Sequence, residues 1–389
     1  MPDWDAFLRD AARRHAGERR ASAGNRLLHI IDDDRITQAV WGGIEDAQQR
    51  VWVSMYLLKP DHVGRGTIAR LAQAARRGVE VRLICDGFTS WNLTKKDLDP
   101  LRRAGGEVAL FHPVWPFQEE ATPLGWRHFP TRNHRKLFLI DGETVLCGGF
   151  NLSEFYAGRA HGHFFFDDTV LRADGPVAHD LARVFARTWQ EITGSAPPLP
   201  PRPAPHPEGA RAAALETDPR RDTPLAPFLV EAITRAEERC VFVTPFFVPP
   251  RPFYDALLGA ARRGVDVRIL TAGDTDRVVA RWAGWHSYDA LLGAGARIYE
   301  MKGRVLHSKT VTIDGAFGSV GSYNMDAWTT RHCLDLSVVF CDAGVAGSLE
   351  HEFRLGLKDA DEVTLADVRA RNPVVKALHG LTYHTYLRL

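Results

Sequence analysis

The chain has 389 residues, 45% of them hydrophobic, enough to bury one large core or two medium ones. Its 49 Lys and Arg nearly balance 48 Asp and Glu, a formal charge of +1 that gives no support for wholesale binding of nucleic-acid backbone, though it allows a local basic pocket. No run approaches 18 uninterrupted apolar residues, so no spanning helix is encoded, and the first twenty residues lack the apolar region of a secretory signal. Five cysteines (Cys85, Cys147, Cys240, Cys333, Cys341) show no metal-type spacing and suggest reduced thiols in a cytosolic setting.

In chain order, residues 1–25 read as an N-terminal helical segment. Its stretch DWDAFLRDAARRHAGERR admits a basic amphipathic helix on an anionic membrane, but a solvated helix docked by its apolar side is the preferred reading. Residues 26–193 form a first α/β half. A helical pattern ends at Gly78, placed for a glycine cap, and a β-branched strand VEVRLICDG follows. LRRAGGEVALF predicts another helix and strand. Trp115, Phe117, Trp126 and Phe129 then read either as core filler or as a loop touching lipid.

From His134 to Ile140 alternation predicts a short strand, so His134 and Lys136 share a face while Leu137 and Leu139 are core. Asp141-Gly142 is the turn that closes it, and Gly148-Gly149-Phe-Asn151 brings an amide back to the same end. Asp168, in FFFDDTVL, sits in a strand-like run where a charge needs a partner, with Asp167 as its competitor. A helix from Val177 to Trp189 ends the half. Residues 194–224 are proline-rich at their start and read as a linker, extended on the surface over 194–209.

The second half, 225–389, repeats the first. Ala260 to Arg268 (AARRGVDVR) echoes Ala74 to Arg82 (AARRGVEVR), with Gly264 in the place of Gly78. LLGAGARIYE matches the next helix and strand. His307-Ser-Lys309-Thr-Val-Thr-Ile-Asp314, then Gly321-Ser322-Tyr-Asn324, reproduces every spacing of the first motif. If each residue type is roughly a twentieth of a chain, one fixed five-residue pattern arises by chance about once in ten thousand such chains. Asp335, in HCLDLSVVF, stands where Asp168 stands in the first half, and Ala343 to Phe353 predict the closing helix. The expected fold class is therefore α/β: two similar halves, each a mixed β-sheet flanked by helices, packed with approximate twofold symmetry around one shared site.

Two imidazoles, two ammonium groups and two amides suit phosphodiester chemistry. One imidazole attacks phosphorus while the other, protonated, donates to the leaving oxygen. Lys136 and Lys309 neutralise phosphoryl charge, with Asn151 and Asn324 as neutral donors. Asp168 and Asp335 are the candidate acids that orient the histidines, whereas Asp141 and Asp314 read as turn residues that support the strand ends. No cofactor and no metal are expected, because two ammonium groups do the electrostatic work that Mg²⁺ does elsewhere.

These residues resemble the phospholipase D superfamily, with its duplicated His-x-Lys-x4-Asp motif followed by Gly-[Gly/Ser]-x-Asn. The likeness covers about residues 26–356 and is greatest to bacterial cardiolipin synthases of the branch without N-terminal membrane helices. It rests on NHRKLFLIDG with GGFNLSEFY, VTPFFVPP, and LHSKTVTIDG with GSYNMD. The resemblance implies a phosphohistidine intermediate, with His134 as nucleophile and His307 as acid and base. It implies transfer of a phosphatidyl group between two phosphatidylglycerol molecules, giving cardiolipin and glycerol, with phosphatidylethanolamine as another possible co-substrate. A cytoplasmic protein, peripheral on the inner face of the bacterial cell membrane and without a nucleic-acid partner, is the corresponding expectation. Rival readings are a hydrolytic phospholipase D, a nucleic-acid phosphodiesterase and a non-catalytic lipid-binding scaffold. One departure stands out: where the family shows Arg-Ser and then Asn-x-Glu, this chain reads AWTTRHCLD, with Asp335 in place of the Glu.

Overall fold

The computed structural model describes residues 1–16, 21–31, 33–114, 131–161, 166–221, 224–275 and 277–388. The aromatic group Trp115, Phe117, Trp126 and Phe129 lies outside them. Among the described residues, seven strands of four residues or more build the first half: β1 (Ser22–Ile31), β2 (Arg50–Met55), β3 (Glu80–Asp86), β4 (Glu107–Phe111), β5 (Leu137–Ile140), β6 (Thr144–Gly148) and β7 (Thr169–Asp174). Seven equivalents follow in the second: β8 (Ala210–Thr217), β9 (Arg239–Thr244), β10 (Asp266–Ala272), β11 (Arg297–Met301), β12 (Thr310–Ile313), β13 (Phe317–Gly321) and β14 (Cys333–Cys341). A short β15 (Ala360–Val363) edges the second sheet.

The halves have the same topology. The order β1-β7-β6-β5-β2-β3-β4 in one is repeated as β8-β14-β13-β12-β9-β10-β11 in the other. In each, the last three strands pair in parallel, as helix-linked crossovers require, and the motif strand joins them antiparallel. The expected glycine caps are present: Gly78 and Gly264 sit at φ +92° and +88°, a conformation that costs glycine little. The duplicated α/β arrangement is thus as the sequence predicts.

Buried side chains from both halves, among them Val145, Leu171, Val320, Leu334 and Leu336, share one central core. Apolar side chains on one face of each sheet can only leave water by meeting the other sheet, and this meeting sets the two motifs opposite each other.

One expectation changes, and the preferred docking of the N-terminal helix is present. Residues 194–224 are not linker throughout: Ala210–Thr217 form β8, paired with both β14 and β1, so the two sheets run on as one. From residue 212 to 217 this strand is buried, which a surface linker would not allow. The N-terminal helix, Trp4–Ala16, docks by its apolar side on the second half, with Trp4, Phe7 and Leu8 buried beside Phe228 and Phe317.

Candidate active site

The motif strands are shorter than their alternation predicts. Regular pairing begins only at Leu137 and Thr310, and each His-x-Lys precedes its strand in extended chain. The cause is the opposite half. His134 N donates to Leu334 O at 2.9 Å and His307 N donates to Asp167 O at 2.8 Å, so each lead-in leaves its own ladder. Two-residue parallel pairings, Arg132–Asn133 with Cys333–Leu334 and Val305–Leu306 with Phe166–Asp167, hold the crossing in both places.

That crossing assembles the site. His134 Nδ1 lies 2.7 Å from Asp335 Oδ1, and His307 Nδ1 lies 2.6 Å from Asp168 Oδ2. Each histidine is therefore held by a carboxylate of the other half. A carboxylate only accepts, so each Nδ1 carries the proton and each Nε2 presents a lone pair. Asp167, the competitor of Asp168, instead makes an ion pair with Arg304 at 2.9 Å. Tyr56 and Tyr156 set their ring edges against His134 and His307, with centroids 4.5 and 5.2 Å apart, and fix the imidazole planes.

Lys136 and Lys309 are buried. Lys136 Nζ donates to His134 O at 2.8 Å and sits 4.7 Å from the Tyr56 ring centroid, and Lys309 Nζ donates to His307 O in the same way. Each ammonium thus bends back under its own histidine, sharing the face that alternation predicts. Burial and mutual repulsion push Lys136 down to about 7, and burial pushes Lys309 down to about 8. His134 is lowered to about 4, by burial and then by Lys136, and burial lowers His307 well below its ordinary value. Burial raises Asp168 to about 7, against the pull of Lys309.

Two buried ammonium groups that repel one another suit the site to an anion. An anion between the ammonium groups would offset the repulsion that adds to burial in depressing Lys136, and would raise the imidazoles toward protonation.

The remaining candidates divide. Asn151 is buried beside the site, its Oδ1 accepting from Leu57 N at 3.3 Å, which turns its NH₂ outward from that bond. Asn324 Nδ2 donates one hydrogen to Thr329 Oγ1 at 3.3 Å, and its buried Oδ1 has no hydrogen-bond partner. Asp141 and Asp314 lie at the far ends of their strands, at φ +52° and +49°. Asp141 accepts from the backbone of Gln48, Gln49 and Arg50, and Asp314 from that of Glu237, Glu238 and Arg239, so both tie the strand end to β2 or β9.

Sequence reasoning missed three contributors. Ser322 Oγ donates to Asp335 Oδ1 at 2.7 Å; the Gly-Ser step of the motif was visible, but not its target. Buried Asp86, whose carboxylate accepts from Asn133 N at 2.9 Å, braces the chain before His134. An acid closing an apolar strand was the available signal. Tyr56 had none. A cavity of about 540 Å³ opens on the far side of Asp168, but neither histidine nor either lysine lines it. Among the described residues no three His, Cys, Asp or Glu cluster as metal ligands.

Two crossed His–Asp pairs over two buried lysines, on a duplicated α/β fold, define a site of the phospholipase D type. The family model for the cardiolipin synthase, phospholipase D-like domain matches residues 42–189 and 229–355. The chain is similar to cardiolipin synthase 2 of Staphylococcus epidermidis, 30% identical over 364 residues, spanning 92% of this chain and 73% of that protein. A cardiolipin synthase of Clostridium perfringens is 28% identical over 368 residues, 92% of this chain and 76% of its own. The fold matches a solved phosphatidylserine synthase of Haemophilus influenzae at a TM-score of 0.70, with 11% identity and 98% and 100% of the two chains covered. The chain belongs to the phospholipase D-like family of the cardiolipin synthase type, and is by class a phospholipase D-type phosphatidyltransferase. No described helix is long and apolar enough to cross a membrane.

Proposed function

We propose that the chain joins two phosphatidylglycerol molecules into cardiolipin and glycerol through a phosphohistidine at His134. His134 Nε2 attacks phosphorus, and the bond from phosphorus to the glycerol oxygen breaks as His307 Nε2 gives that oxygen a proton. The headgroup hydroxyl of a second phosphatidylglycerol then gives its proton to His307, its oxygen bonds phosphorus, and the bond to His134 breaks. Lys136 and Lys309 hold the phosphoryl oxygens throughout.

The observation that carries this reading is the crossed pairing of each histidine with a carboxylate of the opposite half. The roles are those the family resemblance implies, since burial lowers both imidazoles. The His307–Asp168 pair includes a carboxyl raised to about 7, so it can hold or release a proton near neutrality, as an acid and base must. His134, lowered to about 4, keeps the free lone pair a nucleophile needs. The burial of both lysines favours an alcohol acceptor over bulk water. Alkaline quenching during turnover, followed by peptide mass spectrometry, should find phosphatidyl-derived phosphate on His134. Phosphate on His307 would reverse the roles, and none on either histidine would remove the covalent route.

A further inference from the structure

Three helices gather beside the second motif: Val278–Trp285, Ala327–His332 and Pro373–Tyr386. Their inner sides are well packed. Val248, Ala280, Ala283 and Tyr383 form a small core of their own. His379 lies between Trp282 and Trp285, at ring distances of 6.5 and 5.0 Å, and the His286 ring lies tilted against Tyr383 at 4.8 Å. Tyr386 reaches Asp326 Oδ1 at 3.4 Å, and Ala327 N donates to Val248 O at 3.2 Å. Asp326 in turn accepts from Thr329, to which Asn324 donates. The group is thus joined to a site residue, Asn324, by the hydrogen bond to Thr329 of its own middle helix.

Their outer sides are apolar in a way the rest of the surface is not. Val278, Val279, Trp282, Trp328, Leu378 and Leu381 are all exposed, Val279 at 60% and Leu381 at 66%. Clustered large apolar side chains on a protein surface mark a contact. Charge says with what. The three helices contain no Asp or Glu, although the chain as a whole has as many acids as bases, while Arg277, Arg331, Lys376 and Arg388 are exposed on or beside them. Tryptophan, branched aliphatics and arginine or lysine without acids are the composition of a surface that settles into an anionic lipid interface. A second observation comes from the pseudo-twofold. Phe155 lies four residues after Asn151, as Trp328 lies four after Asn324, and both are exposed, at 40% and 38%. Large apolar side chains therefore follow the asparagine of each motif.

We propose that this three-helix face seats the protein on an anionic phospholipid bilayer and presents the site to lipid headgroups. It rests on the lipid-substrate reading above, and gives that reading the surface by which a chain without a described spanning helix meets its substrate.

The test is sedimentation of the full chain with vesicles of phosphatidylcholine alone and of phosphatidylcholine mixed equally with phosphatidylglycerol. The wild type should bind the mixed vesicles and fall off as salt rises. Trp282→Asp with Leu381→Asp should lower binding by about tenfold or more, Arg331→Glu with Lys376→Glu should weaken it and flatten its salt dependence, and Leu199→Asp in the proline-rich segment should leave it unchanged. Matching circular dichroism melts guard against misfolding, and the charge pair decides if the apolar pair melts early. His307→Ala should bind as the wild type does. If the wild type binds vesicles but converts no lipid, the function falls and the surface stands. Wild type that ignores both vesicles, or an apolar pair that binds undiminished, overturns the surface. Sedimentation of the wild type as a dimer that the apolar pair dissociates, with vesicle binding intact, would make the face a contact between two copies and overturn it equally.

Discussion

Behind each histidine stands a different support. Asp335 accepts from the Ser322 hydroxyl, whereas Asp168 accepts from Thr169 N at 2.9 Å, and at Gly149, the equivalent of Ser322, a Cβ would come within 2.2 Å of Asp168 Oδ1. Ser322→Ala removes a bond to an ionised group, worth about 1.5–3 kcal/mol, so kcat should fall by about ten- to a hundredfold with KM little changed. An unaltered kcat would remove Ser322 from the positioning of His134. The lysines set the pH dependence. Lys136, near 7, and Lys309, near 8, are charged below those values and lose their protons above them. Accordingly kcat/KM should decline as pH rises through 7 to 8, and the limb in kcat should lie higher because bound phosphate restores the charge. A limb near the ordinary lysine value of 10.5 would contradict the buried pair. The same burial costs stability. The folded pKa of Lys136 is below the unfolded one, so the penalty is full below about 7 and fades as pH climbs toward 10.5. Lys136→Met should therefore abolish turnover yet gain about 1–3 kcal/mol at pH 6, with a smaller gain at pH 9, read by chemical denaturation.

At the scale of elements, the residue between His134 and Lys136 fastens the site to the scaffold. Arg135 is buried, donating to Glu216 of β8 at 2.7 Å and to Thr188 at 2.8 Å, while Arg187 from the helix Val177–Thr193 reaches the same Glu216. Glu216→Ala leaves two guanidinium groups without their shared carboxylate and should cost about 3–5 kcal/mol, seen as a lower denaturant midpoint with unchanged slope. In the second half Ser308 holds the equivalent place and meets Thr169 at 3.0 Å instead. The motif strands, their turns and the glycine caps were legible because periodicity and turn chemistry are local. The two-residue pairings that carry Arg132–Asn133 and Val305–Leu306 across to the other half were not, since two residues have no period. The truncation of the motif strands at Leu137 and Thr310 followed from them and was equally hidden.

Across the whole molecule, the chain starts on its second half, builds the first, and returns. Phe7 of the N-terminal helix is buried 5.4 Å from Phe228, with the helix beside β8 and β14. Phe7→Ala should cost about 3–5 kcal/mol and lower the melting temperature of the second half's core, including the strands that carry His307. A variant as stable as the wild type would mean the helix is merely appended. The duplication, and so the composite site, could be read from matched spacings of His134, Lys136, Asp141 and Asn151 with their second copies. That each acid serves the histidine of the opposite half could not, because sequence records the symmetry but not which way the halves cross. The continuous sheet through β8 was concealed by the prolines before it.

The paired histidines and lysines are proposed to carry out phosphatidyl transfer. The most direct test is mass-spectrometric product analysis after incubating the purified chain with phosphatidylglycerol vesicles in EDTA. Cardiolipin and glycerol in equal amounts, lost in His307→Ala, are expected. Phosphatidic acid without cardiolipin would contradict transfer by making water the acceptor.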